Sequence, residues 1–145
     1  MYLYQSSMML HCKTIKDVFH EEGSATMTDK INLYVDDLRD CPEGFVVART
    51  YYEAKHILES REVAILTLDH DLGEDVDGKE LPNGYDLVKY FCEHGLRADK
   101  IYIHTDNPVG RENMYENLLA AQRRGFVDED IEIYHYPITV NRYSG

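Results

Sequence analysis

Val63-Ala64-Ile65-Leu66-Thr67-Leu68, running directly into Asp69-His70-Asp71, is the stretch that decides the fold. Its first six residues form a continuous apolar run, which suits a central buried strand. Upstream, Ile31-Asn32-Leu33-Tyr34-Val35-Asp36 alternates with period two and reads as a strand, and Phe45 to Ala48 is a second, short one. Thr50 starts a helix expected to reach Ser60, with Glu53 placed for a capping box. Downstream come an acidic loop from Asp69 to Asn83, a helix from Gly84 to His94, a strand from Lys100 to Thr105, a helix from Gly110 to Arg124 and a strand from Ile131 to Tyr136. Strands alternating with helices predict an α/β fold on a five-stranded, mainly parallel sheet.

One connection is too short for the usual crossover helix. Only Asp37 to Gly44 separates the first two strands. Extended, such a segment reaches about 26 Å, enough to return to the other end of the sheet, so a parallel pairing without a helix and a hairpin-like pairing both remain open. No helix is evident after the fifth strand either. The strands agree with these gaps, because three of them are amphipathic. Ile31, Leu33 and Val35 oppose Asn32 and Tyr34; Ile101 and Ile103 oppose Tyr102 and His104; Ile131 and Ile133 oppose Glu132, Tyr134 and Tyr136. A sheet covered on both faces would be apolar on both. The expectation is therefore helices mainly on one face and a half-open, tyrosine-rich face on the other. That face would be solvent-exposed, covered by the leader or used in self-association.

Composition bounds the function. The chain has 145 residues, 43% hydrophobic and 29% charged, which is one domain's worth of sequence with enough apolar residues for a packed core. No apolar run approaches the roughly 18 residues of a membrane-spanning helix. Twenty-seven acids against 15 bases give a net charge of -12, which excludes an extended basic nucleic-acid surface but leaves room for a local phosphate site. Cys12, Cys41 and Cys92 are an odd count without CxxC spacing, read as reduced thiols in a cytoplasm. Residues 1–26 look unlike the rest and carry no signal-peptide pattern. Glu21-Glu22-Gly23 is what a translated ribosome-binding stretch ahead of Met27 would read as; alternatively Met9, Leu10, Ile15, Val18 and Phe19 form a short amphipathic helix that docks somewhere. The domain itself is expected over 27–145.

Three polar clusters fall at the carboxyl ends of predicted strands: Asp36-Asp37-Leu38-Arg39, Asp69-His70-Asp71-Leu72-Gly73 and His104-Thr105-Asp106-Asn107-Pro108. That edge is where open α/β sheets bind ligands. Asp36, Asp37, Asp69 and Asp71 brought together there would repel, and a hard divalent cation, Mg²⁺ or else Mn²⁺, is the usual remedy. His70 and His104 are suited to proton transfer near neutral pH. Arg39, Arg49 and Arg111 carry guanidinium forks that match phosphate oxygens, and Asn107 to Arg111 opens a helix whose free amides suit an anion. The run Glu74 to Glu80 looks like a calcium loop, but aligning Gly78 with the loop glycine puts Gly73 at the first ligand position, where it has no side chain to offer.

The order of these clusters resembles response-regulator receiver domains: an acidic pair after strand one, Asp69 after strand three, Thr105 after strand four. The fuller blocks are Asp36 to Arg39 with Pro42, Leu68 to Gly73, Asn83-Gly84-Tyr85-Asp86 and His104 to Met114. They are similar to the cyclic-phosphate processing receiver family, over Ile31 to Pro137. The resemblance implies a reduced receiver-like (flavodoxin-like) fold and a metal-dependent site that binds or hydrolyses a phosphoester such as a cyclic phosphate on a nucleotide or an RNA end. Asp36, Asp37, Asp69 and Asp71 would hold the cation; Arg39, Arg49, Thr105, Asn107 and Arg111 the phosphate; His70 and His104 would move protons. The partner implied is a small phosphorylated ligand or RNA terminus. The alternative is a receiver-type signalling module, phosphorylated on Asp69 or degenerate. Against it, the receiver lysine before a proline falls on Tyr136, before Pro137.

Overall fold

The computed structural model describes residues 12–20 and 29–139. Within them run β1 (Cys12–Lys13), α1 (Ile15–His20), β2 (Ile31–Val35), β3 (Phe45–Ala48), α2 (Tyr51–Ser60), β4 (Val63–Leu68), α3 (Gly84–Glu93), β5 (Ala98–Ile103), α4 (Pro108–Arg123) and β6 (Glu132–Tyr134). The strands form one sheet in the order β1-β3-β2-β4-β5-β6, every neighbouring pair parallel. The apolar run Val63–Leu68 is indeed central, with β2 on one side and β5 on the other. The short connection resolves as parallel: Leu33, Tyr34 and Val35 register with Val46, Val47 and Ala48.

The sheet has one strand more than the sequence suggested. β1, from the segment expected to be a leader, pairs with the outer edge of β3, Cys12 with Phe45 and Lys13 with Val46. In α1, Val18 is buried in the core and Ile15 packs against it; Met9 and Leu10, also read as apolar in that segment, lie outside the described residues. Cys41, in the loop leading to β3, is disulfide-bonded, whereas Cys92 is a free, buried thiol whose pKa burial pushes up to about 11. The reduced-thiol expectation thus holds at Cys92 and not at Cys41. No helix among the described residues is long and apolar enough to cross a membrane.

Every helix buries its apolar face on the same side of the sheet. Val18 of α1, Ile57 of α2, Phe91 of α3 and Leu118 of α4 share one cluster with Leu33, Leu66, Leu68, Ile101 and Ile103. The opposite face carries a smaller cluster of Tyr34, Phe45 and Val47, with Ile65 and Ile138 against it. Beyond it the tyrosines continue as a ladder: Tyr102 stacks on Tyr134 at 4.7 Å between centroids, and Tyr136 stands 5.4 Å from Tyr134. The tyrosine-rich second face read from the strands is present.

The helix starts follow from local chemistry. Thr50 accepts a hydrogen bond from the Glu53 amide, but the Glu53 carboxylate accepts from the Arg49 amide rather than from the cap itself. Asn83 and Asp86 form a complete capping box at α3. Asn107 caps α4 through the Gly110 amide, with Pro108 in the first turn, where a missing N–H costs nothing. α2, α3 and α4 thus begin at the carboxyl edge of the sheet, and the caps of α3 and α4 fix the loops that carry the polar clusters.

Candidate functional site

The site lies where β2, β4 and β5 end, beside the point at which the strand order changes direction. Asp36 is its most constrained member, 1% exposed. One carboxylate oxygen accepts from the Leu38 and Arg39 amides, both at 2.9 Å, which turns the chain sharply after β2. The other lies 2.9 Å from His104 Nε2 and 3.5 Å from Arg39 Nη1. Burial works against this charge, but the bonds from His104, Arg39 and Leu38 outweigh it and hold the carboxyl down at about 2.

His104 is buried, fixed from three directions. Its backbone N–H donates to Leu68 O at 3.0 Å, Nδ1 lies 2.7 Å from the Thr67 hydroxyl, and the ring stacks parallel on Tyr34 at 4.6 Å. Asp69 is half-buried at the end of β4, where its oxygen Oδ1 accepts from the His70 amide at 2.7 Å. Asp36, Asp69 and His104 each offer a ligand atom within 4.8 Å of the others, so this buried group could hold a metal ion. The donor set is two hard oxygens and one imidazole nitrogen, a fit for a divalent cation once the His104–Asp36 hydrogen bond is given up.

His70 belongs to the other side of the edge. Nδ1 lies 3.0 Å from Asp71 Oδ1, and the ring lies flush against the first turn of α4: a β-carbon on Gly110 would come within 2.5 Å of His70 Cδ2. Gly84 does the same for the backbone, since a β-carbon there would sit 2.0 Å from Asp69 O, while its amide donates to His70 O at 2.7 Å. The two histidines read as a pair in sequence therefore stand on opposite sides of the sheet, His104 on the tyrosine face and His70 in the helix layer.

The remaining candidates divide in the same way. Arg39 Nη1 donates to His104 O at 2.9 Å and Nη2 pairs with Asp106 at 2.5 Å, tying the loop after β2 to the loop after β5. Arg49 Nη1 donates to the carbonyls of Arg39 and Asp36 at 2.7 and 3.2 Å. Both arginines thus brace the loops that present Asp36. The Thr105 hydroxyl accepts from the Asn107 amide, and Asn107 caps α4. Arg111, half-buried in the first turn of α4, is the one of the three whose guanidinium has neither a backbone nor a side-chain hydrogen-bond partner among the described residues. Asp37 and Asp71 line an open cavity of about 510 Å³ with Leu72, Gly73, Glu74 and Glu80. Burial raises the Asp37 pKa, and the charges of Asp36, Asp69 and Asp71 add to the rise.

Residues 31–120, which carry all of these clusters, match the family model of the cyclic-phosphate processing receiver domain. The chain belongs to that family. As a cyclic-phosphate processing receiver it has an all-parallel sheet with acidic residues at its carboxyl edge, while Tyr136 stands in the tyrosine ladder. None of the curated proteins matches the chain.

Sequence reading missed three positions. Gly84 and Gly110 act through close approach, which a motif match contains but does not explain. Thr67 left a weak signal: a hydroxyl in the middle of an apolar run, fully buried here, has to find a hydrogen-bond partner.

Proposed function

We propose that this domain binds a divalent cation and a phosphoester, and hydrolyses the ester, with a cyclic phosphate on a nucleotide or an RNA end as the substrate class. The observation that carries the reading is the convergence of Asp36, Asp69 and His104 within 4.8 Å. Asp37 and Asp71 line a cavity that Glu74 and Glu80 make acidic further along its wall. A phosphate approaching this mouth alone would meet repulsion, and a cation held by the three donors removes it. The imidazole in the donor set suits Mn²⁺ at least as well as Mg²⁺. When bound, such a cation supplies charge neutralisation and polarisation of a phosphoryl oxygen.

The chain's own residues supply the rest. Arg111, in the first turn of α4, would take the phosphate oxygens. Arg39, Arg49, Thr105 and Asn107 fix the loops that frame them. His70, oriented by Asp71 through Nδ1, keeps Nε2 for proton exchange with the attacking water or leaving oxygen. His104, with both ring nitrogens engaged, serves the cation group. The test is a turnover screen on 2′,3′- and 3′,5′-cyclic nucleotides and cyclic-phosphate RNA ends, with and without Mg²⁺ or Mn²⁺. Cation-dependent opening of one class, lost in Asp69→Asn, is the expected result; no turnover and no binding in any arm removes the reading.

A further inference from the structure

Thr67 is fully buried in the middle of β4, and its hydroxyl meets no water. It lies 2.7 Å from His104 Nδ1, while His104 Nε2 lies 2.9 Å from the charged Asp36 carboxylate. The hydrogen must sit where a carboxylate needs it. With Asp36 accepting, Nε2 carries the proton, and a neutral ring then presents a bare Nδ1 that accepts from the Thr67 hydroxyl. Cation binding inverts this requirement. For Nε2 to act as a ligand beside Asp36 and Asp69 it must be bare, which moves the ring proton to Nδ1.

A hydroxyl is one of the few groups that serves both arrangements, because it donates or accepts by rotating about its own C–O bond. A carboxylate at this position would only accept, and a lysine would only donate. We propose that Thr67 is a positioning residue that lets His104 exchange tautomers: donating to Nδ1 while Nε2–H closes on Asp36, and accepting from Nδ1–H while Nε2 faces the cation. The proton count is conserved: Nε2 loses its proton as the cation arrives and Nδ1 gains one, with no net change in ring charge. Tyr34, stacked at an interplanar angle of 0°, keeps the ring plane fixed through the exchange. This inference rests on the cation site proposed above and assigns it a supporting residue inside β4, in register with Tyr34 and Tyr102.

Two measurements on the full chain test it separately from the site itself. The first is the ¹⁵N spectrum of the His104 ring without added metal and with Zn²⁺ as a diamagnetic probe. The expected spectrum shows the proton on Nε2 without metal and on Nδ1 with Zn²⁺. The second is Mn²⁺ affinity of wild type, Thr67→Val and Thr67→Ser, with thermal unfolding as a control. Thr67→Val keeps the shape and removes the hydroxyl; the expected loss is about 10- to 100-fold in Mn²⁺ affinity, as for other groups that support a ligand histidine. Thr67→Ser restores it. If wild type binds neither ion, the cation site fails and the exchange with it, and the metal-free spectrum still decides whether Thr67 fixes Nε2–H. Unaltered Mn²⁺ affinity in Thr67→Val, or a proton already on Nδ1 in the metal-free protein, overturns the proposal while leaving the site standing.

Discussion

Gly110 and His70 touch so closely that no side chain fits between them: a β-carbon on Gly110 would meet the imidazole at 2.5 and 2.6 Å. The first turn of α4 is therefore the wall that sets where the His70 ring lies. Gly110→Ala should help the helix by about 1 kcal/mol of propensity yet push the ring out of place. A displacement of that kind costs on the order of 100-fold in rate for a positioned group. The expected outcome is a folded variant with near wild-type melting temperature and strongly reduced turnover. In a His70→Gln background the same substitution should cost little more, a non-additivity that a double-mutant cycle reads directly.

Asp36 sets the acid limit of the fold. Its carboxyl is lowered from 3.8 to about 2, so the folded state prefers it charged. The stabilisation is fully present above the unfolded value, near pH 4, and is lost as pH falls through about 2. The size is about 2 kcal/mol. Denaturant unfolding of wild type and Asp36→Asn from pH 6 down to 2.5 checks the sign: the gap between them should be constant above pH 5 and narrow below 4. A gap that widens on acidification contradicts the bonding described for Asp36.

Asp37 works in the opposite direction. Burial and the surrounding carboxylates raise its pKa, so at neutral pH its charge is a cost to the fold without a cation, a cost that acidification relieves. Asp37→Asn should raise the melting temperature of the metal-free protein by a few degrees and weaken Mg²⁺ or Mn²⁺ binding. Calorimetry on the variant checks both halves, and equal affinity for the cation would remove Asp37 from the site.

Small phosphodonors such as acetyl phosphate should not leave a stable acyl-phosphate on Asp69. A transferred phosphoryl group needs a cation at hand. The resemblance to receivers puts their lysine position at Tyr136, whose ring packs 5.4 Å from Tyr134. Arg39, close enough to feel the Asp69 charge, is already held by Asp106 and His104 O. Intact-mass spectrometry after incubation should show no adduct; a stoichiometric, base-labile one on Asp69 would restore the signalling alternative.

Much of this architecture was legible in sequence because its signals are periodic. The buried run at Val63–Leu68 and the alternation at Ile31–Val35 are decided by which faces are covered, and parallel order followed from alternating elements. The one-sided helix layer was legible too, through Tyr34, Tyr102 and Tyr134 on a face that a second layer would have made apolar. What was not legible depends on three-dimensional register. β1 is two residues long and carries no pattern of its own. The grouping of Asp36, Asp69 and His104 within 4.8 Å depends on where each loop turns, which Arg39, Arg49, Gly84 and Gly110 settle through contacts remote in sequence. Arg39 and Arg49 looked like phosphate ligands because guanidinium groups match phosphate, but backbone carbonyls claim them here.

The clearest separation of roles is expected between the two histidines. His104 is buried, bonded through both ring nitrogens and stacked on Tyr34; His70 stands at the rim with one carboxylate partner. His104→Gln should leave the Thr67 hydroxyl or the Asp36 carboxylate short of a partner, a loss of about 1–3 kcal/mol. It should also weaken cation binding. His70→Gln should shift stability by no more than about 0.5 kcal/mol and leave cation affinity intact, while losing about 10²–10⁴ in turnover if its Nε2 carries the proton. Melting temperature, Mn²⁺ affinity and hydrolysis rate measured on both variants form a pattern that neither a purely structural nor a shared acid–base role reproduces. Equal rate losses with equal stability in the two would return them to a common catalytic pair and count against the division drawn from their opposite faces.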